Sequence, residues 1–305
     1  MWKKDIDIVE ISNDLDDIIQ NMFVCSTHDS IMMFTNLGRV YRIKAYEIPE
    51  GSRQSKGLNV VNVIPLMPEE KIMTILPCTV KDDNERYLCM VTEKGIIKRT
   101  RLSEFKHTRK TGIIALSIDE GDELKFVRMT SGNENLLVAT KKGFAIQFSE
   151  TDARTMGRTA RGVKAIELKE NDEVVGMCVI PENQDDSKKI LTVSDTGLGR
   201  LSNHDEYRVQ TRAGKGVLNY HTEKYGEVAS VLLVGDENDI ILISSDGIII
   251  RIKASQINTV SRTSKGVRVM RVSEGEKLVS ATAVSGGDDE ETTEIVAEEE
   301  TETQE

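Results

Sequence analysis

An all-β, propeller-like array of repeated four-stranded units is the architecture this sequence predicts. Three observations predict it: a hairpin signature recurs five times along the 305 residues, a cationic loop signature follows each hairpin at a near-constant distance, and no stretch carries helical periodicity of any length. The length exceeds the usual single-domain range of about 100 to 200 residues, which a repeat array satisfies. Apolar residues make up 38% and charged residues 30%, with five Pro, a balance that excludes both a disordered chain and a membrane-embedded one.

The hairpin signature is an apolar run ending in Thr or Ser, two variable residues, Gly, and a second apolar run. Its copies are IMMFTNLGRVYRI with Gly38, YLCMVTEKGIIKR with Gly95, LLVATKKGFAIQF with Gly143, ILTVSDTGLGRLS with Gly197 and IILISSDGIIIRI with Gly247. Two β-rich runs joined by a polar turn that ends in Gly read as a hairpin, because Gly accepts the positive φ such turns demand.

The loop signature lies 17 to 19 residues further on, measured Gly to Gly: Arg, two residues, Lys or Arg, Gly, then an apolar strand. Four copies are clean, namely Arg53, Lys56 and Gly57; Arg158, Arg161 and Gly162; Arg212, Lys215 and Gly216; and Arg262, Lys265 and Gly266. The remaining copy, KHTRKTGIIAL, keeps Gly112 but carries Arg109 and Lys110 one step out of register. Alternating segments such as LNVVNVI from 58, VKAIEL from 163 and VRVMRV from 267 predict a closing strand after each loop. The expected organisation is five complete four-stranded units at about 21–70, 71–123, 124–173, 174–227 and 228–285, preceded by a segment 1–20 that matches no repeat and followed by a tail, 286–305.

The formal charge of −11 is unevenly spread. The tail holds ten acidic residues and no Lys or Arg, which leaves residues 1–285 at −1 and residues 21–285 at +3. A like-charged, apolar-poor run cannot offset its ordering entropy, so 286–305 is expected to stay disordered, and its carboxylates are expected to compete with the ligand of the basic loops for those loops. The four Cys, at 25, 78, 89 and 178, show no CxxC pair and no ligand-spaced His, and read as reduced core residues of a cytoplasmic protein. The start lacks the apolar stretch of a signal peptide, and no segment reaches the length of a membrane helix.

Packing does not ask for cations in a loop, so their recurrence at one structural position points to a ligand. Equivalent loops of a radial array share one perimeter, where paired cations would face a curved polyanion; Lys and Arg contact phosphates without reading sequence. Arg42 and Arg99, with Arg200 and Arg251, end the hairpins and would widen that track or cap strand ends. Aromatic residues are only 4% of the chain and absent from the clean loops, which disfavours the stacking modes of single-strand and RNA binders and favours double-stranded DNA. Bending a duplex through 40 to 90° costs on the order of 1 to 6 kcal/mol, to be returned by backbone contacts. Eight engaged cations would give a log K against log salt slope of about −7.

The segments STHDSIMMFTNLGRVYRIKAYEIPEGSRQSKG, ETDARTMGRTARGVKAIEL and EYRVQTRAGKG closely resemble the C-terminal domain of bacterial DNA gyrase A, over roughly residues 14–285. The resemblance implies a β-pinwheel whose blades exchange strands, with 1–20 as the remnant of a first blade. It also implies wrapping of duplex DNA around the rim as the non-catalytic part of an ATP-dependent type IIA topoisomerase. The implied partners are double-stranded DNA, the N-terminal cleavage domain of gyrase A, and gyrase B. The family's first-blade box, Q-R-R-G-G-K-G, has its nearest match in Gln210-Thr211-Arg212-Ala213-Gly214-Lys215-Gly216, which lies in the fourth repeat, so wrapping that depends on a first-blade box is not implied for this chain. Two rival readings are the equivalent domain of topoisomerase IV and a propeller that serves as a protein-interaction platform.

No catalytic residue, metal or cofactor is expected. The family's catalytic Tyr follows an Arg in an upstream domain, and the only Arg-Tyr pair here, Arg86-Tyr87, opens an apolar strand. His28 beside Asp29 reads as a turn, and His107, His204 and His221 are scattered.

Overall fold

The computed structural model describes residues 6–11, 21–51, 58–79, 85–182 and 187–285, and within them the backbone alone of 6–11, 21–24 and 285. Five antiparallel blades follow one another. The first joins β3 (Ser30–Thr35), β4 (Arg39–Lys44), β5 (Ile72–Cys78) and β8 (Ile113–Ile114). The second joins β6 (Tyr87–Thr92), β7 (Ile96–Arg101), β9 (Leu124–Thr130) and β12 (Val163–Lys164). The third contains β10 (Asn135–Thr140), β11 (Phe144–Ser149), β13 (Val174–Ile180) and β16 (Val217–Leu218). The fourth contains β14 (Lys188–Ser194), β15 (Leu198–Asn203), β17 (Val228–Gly235) and β20 (Val267–Arg268). The fifth has three strands among the described residues, β18 (Asn238–Ser244), β19 (Ile249–Lys253) and β21 (Leu278–Ser285).

The hairpin signature accounts for the first two strands of every blade. At each turn the Gly N–H donates to the carbonyl of the preceding Thr or Ser, as in Gly38 to Thr35 at 3.0 Å and Gly197 to Ser194 at 3.0 Å. The hydroxyl of that same residue accepts the next backbone N–H: Thr35 from Arg39, Thr92 from Ile96, Thr140 from Phe144, Ser194 from Leu198 and Ser244 from Ile248. The run therefore ends in Thr or Ser because its hydroxyl closes the turn.

Blade faces pack on their neighbours. Leu88 and Met90 join Met32, Phe34, Val40 and Cys78 between the first two blades, while the alternate residues Cys89 and Val91 join Leu136, Val138, Ile146 and Phe148 between the second and third. A strand buried on both faces needs a continuous apolar run, which the hairpins have. All four Cys are buried and free of disulfides; burial pushes the Cys178 thiol up to about 12, and burial together with the charge of Glu150 does the same for Cys89.

The fourth strand of each of the first four blades comes from the following repeat: β8, β12, β16 and β20 lie beside β4, β7, β11 and β15. Only two residues of each predicted closing strand join the sheet. Beyond them the chain turns away and donates to the hairpin Gly carbonyls: Ala115 and Leu116 to Gly38, Ala165 to Gly95, Asn219 and Tyr220 to Gly143, Val269 and Met270 to Gly197. The fifth blade has three strands among the described residues, where no following repeat donates a fourth. The segment LNVVNVI is corrected too. It forms a 3-10 turn, Val60–Asn62, with Leu58 and Val61 exposed, because the Asn59 side chain accepts the Val61 N–H and closes the chain on itself.

At the other end of each sheet, β5, β9, β13, β17 and β21 touch one another in order and form the hub. The exchanged strands therefore mark the perimeter. The unmatched start supplies β1 (Ile6–Ile11), which pairs antiparallel with β2 (Asn21–Ser26). A short α-helical turn, α1 (Thr222–Tyr225), follows β16. The tail 286–305 lies outside the described residues.

Candidate nucleic-acid interface

Each hairpin ends in a 3-10 turn, among them Leu102–Phe105, Glu150–Asp152, His204–Glu206 and Ala254–Gln256, which leads the chain outward into its cationic loop. The loop then delivers the exchanged strand to the blade before it, so every described loop sits at the outer edge between two blades. Its Gly is a packing requirement: Gly162, Gly216 and Gly266 have φ of +99, +73 and +80°, and an added Cβ would lie 2.6, 2.4 and 2.3 Å from a backbone oxygen of the preceding blade. The close backbone approach thus serves a neighbouring strand.

The two cations of a loop have different fates. Arg212 is half-buried and donates from Nε to the Asp152 carbonyl at 3.0 Å and from Nη1 to the Lys164 carbonyl at 2.9 Å. Arg262 donates from Nη1 to the Leu218 carbonyl, and its guanidinium lies 5.8 Å from the Tyr207 ring centroid. Both reach the exchanged strand of the preceding loop, so consecutive loops are tied together. Backbone bonds extend the tie, from Ala213 to the Ala165 carbonyl at 2.6 Å and from Glu167 to the Gly214 carbonyl at 2.9 Å. Ser117 links the first described loop to the next through Thr159 and Ala160. Arg158 is also half-buried.

The second cation points outward. Lys215 and Lys265 are exposed, as are Arg109 and Lys110 in the out-of-register copy. The Arg161 side chain is 65% exposed and pairs with Asp119, itself 42% exposed. Arg53 and Lys56 lie outside the described residues.

Among the hairpin-end cations, Arg42, Arg99 and Arg200 do not join this set. Arg99 is 8% exposed, its Nη1 lies 3.4 Å from Glu150 Oε2, Nη2 donates to Thr155 at 3.1 Å, and its guanidinium stacks 4.7 Å from the Tyr87 centroid. Glu150 is fully buried and also accepts from the Thr130 hydroxyl and the backbone N–H groups of Gly132 and Glu134. Arg42 is half-buried and donates to the Phe105 carbonyl at 3.2 Å. Arg200 is fully buried, and Arg251 pairs with Asp239. Arg99 and Arg42 are corrected from rim contacts to internal fastenings, because strand alternation turns them into the interface between blades.

Sequence reasoning also missed outward cations. Lys164 and Arg268 are exposed on the outermost strands β12 and β20, and Arg154 and Arg208 are exposed just ahead of their loops. The signal was available for Lys164 and Arg268, which stand two residues after the loop Gly. Beneath two loops lie buried cations, Lys98 and Arg200, each three residues after a hairpin Gly. Lys98 Nζ donates to the Ala115 carbonyl at 2.6 Å and to that of Arg158; burial first, then the charge of Arg158, lowers its pKa to about 7.

Taken together, the described rim is a band of loops, linked by backbone and side-chain hydrogen bonds, that present cations on one edge, an arrangement that can hold an extended polyanion through phosphate contacts.

A family model described as the DNA gyrase C-terminal domain, beta-propeller, matches residues 29–79, 86–131, 134–180, 188–234 and 238–285, one segment per blade. The DNA gyrase A protein of Staphylococcus epidermidis is 40% identical over 279 residues, covering 91% of this chain and 31% of that protein. Its counterpart in Lawsonia intracellularis is 39% identical over 272 residues, covering 89% and 33%. The chain thus spans about a third of the length of these relatives. Among solved structures, the C-terminal domain of a DNA topoisomerase IV superposes with a TM-score of 0.79 at 26% identity, covering 88% of this chain and 82% of that one. A DNA gyrase A C-terminal domain superposes with a TM-score of 0.72 at 28% identity, covering 90% and 89%. The five matched segments, the strand-exchanged blades and the identity to gyrase A sequences establish that this chain belongs to the DNA gyrase C-terminal domain family.

Proposed function

We propose that this chain binds duplex DNA around its perimeter and wraps it, as the non-catalytic C-terminal domain of DNA gyrase A, directing negative supercoiling by the ATP-dependent holoenzyme in the cytoplasm. The observation that carries this reading is the linked band of loops with Arg109, Lys110, Arg161, Lys215 and Lys265 exposed along it. Cations fixed at blade-spaced intervals on a rigid rim meet phosphates at low ordering cost, and contacts at successive blades repay the bending of the duplex. The N-terminal cleavage domain of gyrase A, together with gyrase B, would turn wrapping into strand passage.

The superposition on a topoisomerase IV domain supports a second reading, in which the same rim binds DNA within that enzyme. Nicked plasmid religated in the presence of the chain distinguishes the outcomes. A change in linking number of one sign, with duplex affinity that falls steeply with salt, supports wrapping. Salt-sensitive binding without a linking-number change supports binding alone, and the absence of both sinks the DNA reading in favour of a protein-interaction platform.

A further inference from the structure

One position in each of the first four hairpins, three residues after the Gly, lies under the loop that the next repeat sends to the rim. Its occupants in the first four blades are Tyr41, Lys98, Ile146 and Arg200. Tyr41 underlies the out-of-register loop, where a Cβ on Gly112 would meet its ring at 2.8 Å. Ile146 underlies the Arg212–Gly216 loop, its Cδ1 3.7 Å from a Cβ built on Gly214. Lys98 and Arg200 underlie the loops at 158–162 and 262–266, and both are fully buried. Lys98 donates to the Ala115 and Arg158 carbonyls, and Arg200 to the Ser264 carbonyl at 3.1 Å, the Arg262 carbonyl and the Asn219 side chain at 3.1 Å.

Neither cation has a carboxylate within ion-pair distance among the described residues. A buried charge without a counter-ion is costly. Both instead spend their donors on carbonyls of the rim loop, and their uncompensated field reaches the surface through low-dielectric protein. An apolar residue fills the same position in the third blade, so blade packing does not itself demand a cation there.

We propose that Lys98 and Arg200 are positioning residues for the rim: they pin the two overlying loops by their carbonyls and add to those loops a positive charge that never touches phosphate. For Lys98 the charge is conditional on pH. The charged groups acting on it are Arg158 on the overlying loop, which disfavours the ammonium, and Glu104 on the turn that follows β7, which favours it. A phosphate on that loop offsets the Arg158 charge and holds the ammonium, so duplex binding takes up a proton at this site near neutral pH. Affinity therefore falls as pH rises above about 7. The inference rests on the DNA reading proposed for the rim.

Calorimetric titration of the 305-residue chain with a short linear duplex, in buffers of different ionisation enthalpy, measures the proton uptake directly. The expected result at pH 7.5 is uptake of roughly half a proton. Lys98→Arg, a side chain already accommodated at Arg200, is expected to keep neutral-pH affinity and abolish that uptake. Lys98→Met is expected to weaken binding about fivefold at pH 6.5 while leaving the salt slope unchanged, because no phosphate contact is lost. Arg161→Ala, a direct contact, is expected to make the slope shallower by about 0.9. Wild-type binding without proton uptake, or uptake that persists in Lys98→Arg, overturns the positioning proposal and leaves the DNA reading standing. Absence of salt-sensitive duplex binding by the wild type overturns both.

Discussion

Arg99 Nη1 lies 3.4 Å from Glu150 Oε2, with the carboxylate fully buried and its other partners drawn from a hydroxyl and two backbone amides. This ion pair fastens the second blade to the third and removes a cation from the rim. Taking away one partner of a buried pair leaves an uncompensated charge. Arg99→Ala is expected to lower unfolding free energy by about 3 to 5 kcal/mol. Urea denaturation checks the loss, and the salt slope of duplex binding by the folded variant should match the wild type.

The outward cations carry the opposite expectation. Arg161, Lys215 and Lys265 stand at equivalent positions of three loops and are exposed, so their combined replacement by Ala should reduce the salt slope by about 2.7 while moving stability by less than about 0.5 kcal/mol each. Fluorescence anisotropy of a labelled duplex over a salt series, with a melting curve, tests both halves. Arg99→Ala in the same assay is the internal contrast.

Arg161 already has a partner in Asp119 on the preceding segment. That exposed pair is weak and screened, yet phosphate must displace it. Asp119→Asn is expected to raise duplex affinity two- to threefold, by rough estimate, at low salt and to have no effect above about 0.5 M, where screening dominates. Equal affinities at low salt would show that the pair does not compete with DNA.

Hairpin glycines answer to two constraints at once. Gly143 has φ of +80°, and a Cβ there would lie 2.2 Å from the Tyr220 carbonyl oxygen of the exchanged segment. Gly143→Ala is expected to cost more than about 2 kcal/mol and to loosen β16. Gly157→Ala, where nothing lies within 4 Å of the built Cβ, is the control expected to be near neutral. Amide exchange at Asn219 and Tyr220, which donate to the Gly143 carbonyl, reports the local release.

Lys98 gives stability a pH dependence of known sign. Its pKa falls from 10.5 to about 7 in the folded protein through burial and the charge of Arg158, so the unfolded chain binds more protons between these values. Stability should therefore rise as pH increases from about 7 toward 10, and this rise should vanish in Lys98→Met. Denaturation midpoints across that range decide it; a flat difference between the two proteins would place the Lys98 pKa elsewhere.

The repeats, the hairpins and the location of the loops were legible because they depend on local chemistry. Thr or Ser closing a turn on Gly leaves a mark that recurs in sequence whatever surrounds it. The strand after each loop was legible only in part, since its pairing partner belongs to another repeat. Val163–Lys164 becomes strand because β7 offers an edge, whereas the apolar run at 58–64, with similar alternation, becomes a 3-10 turn.

The sequence by itself determined five β repeats, an acidic tail separate from a near-neutral body, and cations concentrated in equivalent loops. Only the tertiary structure decided which of those cations face solvent. Arg161 and Arg212 hold the second and the first cation position of the motif in successive loops, and one is presented outward while the other is spent on the Asp152 and Lys164 carbonyls of the preceding repeat. The reason is physical: a carbonyl left without a donor at a blade junction costs free energy wherever water cannot reach it, and a neighbouring guanidinium supplies the missing bonds. Which carbonyls need that service is set by how the blades meet, and the spacing of the motif holds no information about it.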